Sequence, residues 1–201
     1  MGTNNSWNSA NPVEVAKGGT NATSMATNTG IVKFDGTRLV TSSTALIDAS
    51  NRYTNTSQPM FLAYLNTDVT NATGDGTRYQ VVYDTEVSDI GANFSTVTGA
   101  FTAPVAGIYK FSHGFTLSNL SAGVIVAYSF FYHNATTYYQ CCQLGKSGGS
   151  SAGACGSLEI SMAAGQTMAI VLNAISGTKT ATVNGVSAND RVNWFSGVLL
   201  T

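Results

Sequence analysis

Charged side chains are scarce in this chain of 201 residues. Only 9% of the residues are Asp, Glu, Lys or Arg, and the formal net charge is −1. No basic or acidic run is present to draw the chain to nucleic acid or to an anionic membrane. Yet 43% of the residues are hydrophobic, which excludes a disordered polyelectrolyte. We therefore expect a folded protein that has no nucleic-acid partner and does not insert into membranes.

The sequence also lacks the segments that direct a chain into or across a membrane. Residues 1–16 have neither a basic start nor an apolar core, so no signal peptide is expected. The longest apolar run, residues 122–132, is about half as long as the roughly 20 residues that a membrane-spanning helix requires. Its β-branched and aromatic residues predict a buried strand instead.

Cysteine is rare and odd in number, with Cys141, Cys142 and Cys155 only. An odd count does not fit a secreted disulfide framework. Because adjacent residues on a strand point to opposite faces, Cys141 and Cys142 should not both face one partner. Either one of them forms a disulfide with Cys155 across the glycine-rich segment, or all three are thiols. No zinc site is predicted, since His113 and His133 are the only further ligands of the kind that zinc prefers.

No phosphate-binding loop and no zinc-binding helix motif is present, and no cofactor is predicted. The carboxylates are scattered along the chain. Calcium takes six to eight oxygen ligands, and although no loop has the spacing of a calcium site, four acidic residues are weak candidates: Asp68, Asp75, Asp84 and Glu86. We therefore predict that the protein is not an enzyme.

The abundant polar residues are Thr, Ser, Asn and Gly, which favour turns and strand faces over helix interiors. The sequence therefore predicts an all-β chain. The composition of the chain changes at Pro59, because almost all the aromatic residues follow this position. We divide the chain into a flexible or attachment segment (1–29), a β-hairpin stalk or linker (30–58) and a globular head (59–201).

Two short hairpins are predicted before Pro59. Residues 31–34 and 37–40 flank Asp35-Gly36, which is a strong signal for a two-residue turn. Residues 45–48 and 52–54 form the second predicted pair. Because two small hairpins bury too little surface to fold alone, we expect them to pack together, on the head or on other chains. A flexible linker is the alternative.

The head is predicted to be a β-sandwich of about ten short strands. These are residues 60–66, 79–83, 100–103, 107–117, 124–133, 137–144, 157–162, 167–175, 179–183 and 192–200. Residues 67–77, which turn on Gly74-Asp75-Gly76, and the small-residue segment 145–156 are predicted to be loops.

Alternation along residues 107–117 separates two strand faces. Tyr109, Phe111, His113 and Phe115 share one face, which is expected to fill the core. On that face His113 is expected to be a neutral, hydrogen-bonded core histidine. Gly107 is expected to permit a tight start to this strand.

One spacing is more specific than a generic sandwich. An aromatic residue is followed by an acidic residue six positions later, by further aromatic residues, by a Gly-x-Tyr-x-Phe strand and by an aromatic residue and a glycine in the segment 195–200. The residues of this pattern are Tyr83, Asp89, Phe94, Phe101, Gly107, Tyr109, Phe111, Phe195 and Gly197. The pattern resembles the signature of the C1q family, and the segment 195–200 resembles the closing strand of that family. Three positions depart from the family pattern: Tyr83 replaces Phe, His113 replaces Phe or Tyr, and Ala164-Gly165-Gln166 replaces a Gly-Asp pair.

The resemblance implies a jelly-roll sandwich of the C1q or tumour-necrosis-factor type that forms a compact homotrimer. In such a trimer one sheet of each subunit faces a threefold axis. If the strands face as they do in the family, Lys110, Ser112 and Trp194 point toward that axis.

The first part of the chain carries a second resemblance. Residues 15–24, which include Gly18-Gly19-Thr20, and residues 29–32 are similar to linkers of bacteriophage tail and head fibres. This implies a virion protein whose N-terminal region binds other virion proteins and whose head binds a glycan or protein of the host-cell surface. Loops on a rigid scaffold commonly carry binding, so the predicted loops 67–77 and 145–156 are the candidates for receptor contact. The residues predicted to make it are Tyr138 and Tyr139, beside the second loop, and Lys146 within it.

Two other functions remain open at this point. The head could be purely structural, as a capsid decoration or a trimerisation cap. A secreted recognition module of the complement type is disfavoured, because no signal peptide and no collagen repeat are present.

Overall fold

The computed structural model describes residues 30–34, 37, 39–47, 52–121, 124–147, 150–187 and 190–201. The chain divides into two units, Met1–Ser57 and Gln58–Thr201. Every regular element among the described residues is a strand, which confirms the all-β prediction. No helix long and apolar enough to span a bilayer occurs among them.

The first unit contains an antiparallel sheet in the order β1-β2-β3, with β1 (Gly30–Phe34), β2 (Leu39–Ile47) and β3 (Tyr53–Asn55). Both predicted hairpin pairings are present, and they share β2. The register differs from the prediction: Phe34 lies opposite Leu39, so four residues connect the strands rather than two. Asp35 and Gly36 themselves lie outside the described residues, as does segment 1–29, and the stalk role stays a prediction.

The second unit contains the strands of the head. They are β4 (Met60–Tyr64), β5 (Val69–Thr73), β6 (Asp75–Gln80), β7 (Thr85–Ile90), β8 (Phe94–Ser95), β9 (Ala100–Thr102), β10 (Gly107–Ser118), β11 (Val124–His133), β12 (Thr137–Ser147), β13 (Ala152–Met162), β14 (Thr167–Ile175), β15 (Ala181–Val183), β16 (Val186–Ser187), β17 (Asp190–Arg191) and β18 (Trp194–Leu199).

These strands form two main sheets that face each other as a sandwich. A seven-stranded sheet has the order β5-β15-β10-β18-β4-β7, with β13 also paired to β10. A five-stranded sheet has the order β12-β11-β14-β9-β8, and β16 pairs with β17. β6 lies along β14, where the Val81 amide donates to the Ile170 carbonyl (2.9 Å). The predicted jelly-roll sandwich is confirmed.

Both predicted loops are wrong. Residues 67–77 contain β5 and the start of β6, and Gly74, with a φ angle of 125°, is the one residue between the two strands. Most of residues 145–156 belongs to β12 and β13. Asn, Gly and Ala in these segments have low strand preference of their own, and here pairing with neighbouring strands decides the conformation. The strand predicted at 79–83 also ends early, since β6 stops at Gln80.

Aromatic rings fill the core between the sheets. Phe61 stacks on Phe94 and Phe101, with ring centroids 4.7 Å and 5.1 Å apart, and meets Phe195 edge-on at 4.9 Å. On β10 every residue of the predicted core face is buried, which confirms that prediction: Tyr109, Phe111, His113 and Phe115. Aromatic rings are also most of the largest fully buried side chains of the head.

Gly197 and Gly107 leave room for other parts of the fold. A Cβ atom on Gly197 would lie 2.5 Å from the Phe61 ring and 2.7 Å from the Phe111 ring. A Cβ atom on Gly107 would lie 2.4 Å from the Thr201 carbonyl oxygen. Gly107 is therefore required for close approach of the C-terminal strand.

Asp89 orders the turn that follows β7. Its two carboxylate oxygens accept hydrogen bonds from the Asn93 amide (3.1 Å) and the Phe94 amide (2.9 Å). The turn contains Gly91 and Ala92, both with positive φ, so the side chain holds a strained backbone in place. Asp89 thereby delivers Phe94 to the core.

Candidate functional site

One face of the seven-stranded sheet points away from the core. Alternation and register place on it, in parallel rows across β13, β10, β18 and β4, the following residues: Cys155, Ser157, Glu159, Ile108, Lys110, Ser112, Gly114, Trp194, Ser196, Val198, Met60, Leu62 and Tyr64. We call this set the outward face. Ile108 is 45% exposed and Met60 is 38% exposed, while Leu62, Trp194 and Val198 are half-buried.

The three residues predicted to face a trimer axis all lie on the outward face. Lys110 and Ser112 follow each other on β10, and Trp194 on β18 lies opposite Gly114. A Cβ atom on Gly114 would lie 2.5 Å from the indole nitrogen of Trp194, so the absence of a side chain makes room for this ring. Lys110 also forms an ion pair with Glu159 at 3.6 Å. Whether the three residues meet an axis stays a prediction.

A second surface lies on the five-stranded sheet, and we call it the aromatic platform. Its rings are those of Tyr128, Phe130, Tyr132 and Tyr138 on β11 and β12. The Tyr132 and Tyr138 rings stack at 4.3 Å between centroids, and Phe130 meets Tyr138 edge-on at 5.8 Å. Arg78 of β6 lies over the platform, with its guanidinium carbon 4.1 Å from the Tyr138 centroid and 5.2 Å from that of Phe130.

The three predicted receptor contacts are not brought together. Tyr138 and Tyr139 lie on opposite faces of β12: Tyr138 belongs to the aromatic platform, whereas the Tyr139 ring lies 6.3 Å from that of His133. Both tyrosines lie at the start of β12, whereas the segment 145–156 that they were predicted to adjoin begins near the other end of this strand. Lys146 is in β12, but its side chain lies outside the described residues.

Arg78 is a residue of this surface that the sequence does not predict, because β6 is distant in sequence from the strands that carry the rings. Strands β7 to β10 lie between β6 and β11 in the sequence. Only the sheet topology places the guanidinium over the rings. A single arginine between threonine and tyrosine carries no local signal that could have revealed it.

The cysteines depart from the predicted alternation. The pairing of β11 with β12 shifts between Ser129 and Phe130, so Cys141 is the extra residue of a β-bulge. As a result the Cys141 and Cys142 sulfurs lie side by side, 3.9 Å apart, near Gly156. Cys155 lies on the outward face, and all three are free thiols. Burial and the neighbouring Cys142 thiol raise the pKa of Cys141 to about 12.

His113 is buried as predicted, but the expected hydrogen bond is absent. Neither ring nitrogen has a partner among the described residues, and the ring packs against Phe131 at 5.1 Å and Phe115 at 6.0 Å. Desolvation by these apolar neighbours lowers the pKa of His113 to about 4. The position takes an aromatic ring, which explains why the family pattern has Phe or Tyr there.

Three of the four weak calcium candidates accept a hydrogen bond from a backbone amide. Asp68 accepts from the Gly185 amide at 2.6 Å, Asp84 from the Asn66 amide at 2.8 Å, and Asp75 from the Thr77 amide at 3.0 Å. Glu86 is exposed on β7. No group of three or more His, Cys, Asp or Glu residues in the described ranges is placed to hold a metal ion.

The letters Gly-x-Ser-x-Gly occur at residues 145–149 and 149–153. Residues 145–147 belong to β12 and residues 152–153 to β13, so both elements that carry these letters are strands. The nucleophile elbow of hydrolases requires a strand followed by a helix, so this match is one of letters and not of context.

The head matches a known protein family and is similar to several solved structures. The family model of the C1q domain matches residues 60–200. Among solved structures, the chain is similar to the globular domain of zebrafish complement 1qA protein, with 19% identity, 71% of this chain and 98% of that chain covered, and a TM-score of 0.49.

Two further solved structures are similar at lower identity. Murine APRIL at pH 8.5 has 9% identity and a TM-score of 0.47, with 71% of this chain and 99% of that chain covered. Eiger TNF from S. frugiperda has 12% identity and a TM-score of 0.48, with 72% and 94% covered. No curated protein matches the chain. The family match confirms the C1q resemblance predicted for residues 60–200.

Proposed function

This chain belongs to the C1q domain family, and on that premise we propose that three copies form a virion fibre whose head recognises the surface of a host cell. Domains of this family are generally recognition modules rather than enzymes. In the proposed fibre the N-terminal region attaches to other virion proteins. The head is the part that meets the host.

The outward face is the observation that carries the proposal. An antiparallel sheet face that remains in water is normally polar, yet this one carries Met60, Ile108 and Val198 in neighbouring strands. Its charges are few, and Lys110 and Glu159 neutralise each other. Such a face suits burial against copies of itself, because a closed cyclic assembly reuses one surface on every subunit.

The virion context is supported by the sequence of the first part of the chain. Its small-residue run around Gly18-Gly19-Thr20 is similar to fibre linkers, and the low overall charge fits a surface largely covered by other copies. A trimer would also provide the partners that the short sheet of β1, β2 and β3 needs in order to be stable. The proposed location is therefore the particle surface.

A competition experiment tests this function with a matched pair of variants. Purified full-length protein should compete with particles for adsorption to host cells. Ile108→Asp should abolish the competition, because it places an unpaired carboxylate in the proposed subunit interface. Val97→Asp is the control: Val97 is 84% exposed in the turn between β8 and β9, so the same change there should have no effect.

The same experiment separates the fibre from a purely structural cap. A cap would hold three chains together without binding a cell. Wild-type trimer that fails to compete, on cells to which the particles adsorb normally, would contradict the recognition role and favour the cap.

A further inference from the structure

Among the described residues, Arg78 has no anionic partner. The side chain is exposed, and no carboxylate forms an ion pair with it within the described part of the chain. Its guanidinium carbon is 4.1 Å from the Tyr138 centroid, so the group is held against the aromatic platform. A guanidinium group stacked on an aromatic ring keeps its N–H donors, which lie in its own plane, available for a ligand.

The rest of the platform offers groups of a different kind. On β12 the exposed side chains of Gln140 and Gln143 lie on the same face as Tyr138, because the bulge at Cys141 shifts the alternation by one residue. The Gln140 amide donates a hydrogen bond to the Gln143 amide oxygen at 3.4 Å. Amide groups donate and accept, as sugar hydroxyls do. The rings of Tyr128, Tyr132 and Tyr138 are half-buried and supply apolar surface with polar edges, whereas Phe130 is buried beneath Arg78. No acidic side chain belongs to the platform, so nothing in it would repel an anion.

We propose that the aromatic platform binds an acidic glycan, with the carboxylate or phosphate of the glycan accepting hydrogen bonds from Arg78. The planar guanidinium matches the two oxygens of such a group. The sugar ring lies against the aromatic rings, and Gln140 and Gln143 bind its hydroxyls. This inference rests on the proposed function, since the glycan would belong to the host surface. It also places the binding site on the sheet opposite to the proposed subunit interface.

Calorimetric titration of the full-length protein tests the assignment. The probes are a hexasaccharide of alternating glucuronate and N-acetylglucosamine, a neutral hexasaccharide of N-acetylglucosamine, and inorganic phosphate. The acidic hexasaccharide should bind and the neutral one should bind at least roughly tenfold more weakly, because it lacks the charge-assisted hydrogen bonds. Weak binding of inorganic phosphate would fit the same cation, and tighter binding of phosphate than of the acidic sugar would point to a phosphorylated glycan.

Variants of the cation complete the test. Arg78→Gln should weaken the acidic hexasaccharide roughly tenfold or more, whereas Arg78→Lys, which keeps the charge without the planar fork, should weaken it less. Lys179→Gln is the control, because it removes an equal charge from an exposed side chain that does not touch the platform.

Several results would overturn the inference. The first three are no binding of any probe, equal affinity for the acidic and neutral sugars, and unchanged affinity of Arg78→Gln for the acidic hexasaccharide. The fourth is a glutamate hexapeptide that binds as tightly as the acidic hexasaccharide, which would indicate a site for acidic peptides. Such a result leaves the fibre role intact if wild-type protein and Arg78→Gln still compete with particles for adsorption. Loss of competition by the wild type itself would count against the fibre role instead.

Discussion

His113 is an ionisable ring among hydrocarbon rings. It is fully buried, and neither nitrogen has a hydrogen-bond partner within the described residues. The unfolded chain takes up a proton near pH 6.5, whereas apolar surroundings hold the folded pKa of His113 at about 4. The contribution of His113 to the free energy of unfolding is therefore fully present above pH 6.5. It is lost as the pH falls from 6.5 to 4, which lowers the free energy of unfolding by on the order of 3 kcal/mol.

Replacement by the residue type that the family uses should remove this pH dependence. His113→Phe is expected to flatten the free energy of unfolding between pH 7 and pH 4, as measured by urea denaturation at a series of pH values. Tyr83→Phe is the control, because it removes a buried hydroxyl that has no hydrogen-bond partner in the described part of the chain and that does not titrate in this range. An equally steep pH dependence in wild type and His113→Phe would contradict the assignment.

Gly197 should tolerate no side chain. Gly197→Ala places a methyl group 2.5 Å from the Phe61 ring, so rings in the centre of the core must move. We expect a loss of about 1–3 kcal/mol in the free energy of unfolding. Gly145→Ala is the matched control, since nothing lies within 4 Å of its Cβ position. Equal stability of the two variants would show that the core at Gly197 is loosely packed.

At this scale the sequence predicts burial better than bonding. Alternation alone places Tyr109 and His113 in the core, because a strand has only two faces. Alternation could not show that His113 lacks a hydrogen-bond partner, since any such partner would come from a strand that is distant in sequence. For the same reason no local pattern could place Arg78 over Tyr138.

At the scale of elements, strands rich in β-branched and aromatic residues were predicted well. The predicted bounds of β11 and β14 match the structure. Strands built from small and polar residues, such as β5 and the first half of β13, were mistaken for loops. The bulge at Cys141 also escaped prediction, because a bulge is defined by the pairing of two strands rather than by the sequence of one.

The turn after β7 is an element whose stability depends on one side chain. Asp89→Ala removes both acceptors of the Asn93 and Phe94 amides, and we expect a loss of roughly 2 kcal/mol in the free energy of unfolding. Asp89→Asn keeps one acceptor oxygen and should lose less. The measurement is thermal or urea unfolding of the three proteins. Identical stabilities would mean that the turn forms without the carboxylate.

At the scale of the whole molecule, we assign a different proposed role to each of the two sheets. The outward face of the seven-stranded sheet would hold subunits together, and the aromatic platform of the five-stranded sheet would remain free for a ligand. The C1q signature made the sandwich predictable from the sequence, because its aromatic residues are the core itself. Assembly and ligand cannot be read in the same way, since they depend on surfaces that meet other molecules.

The central claim is that the outward face joins three copies of the chain, and the molar mass of the full-length protein in solution tests it most directly. Sedimentation equilibrium should give three times the 20.9 kDa of one chain. The same mass is expected for Val97→Asp, whereas Ile108→Asp should sediment as a folded single chain. A wild-type protein that sediments at 20.9 kDa, or an Ile108→Asp variant with the wild-type mass, would contradict the account.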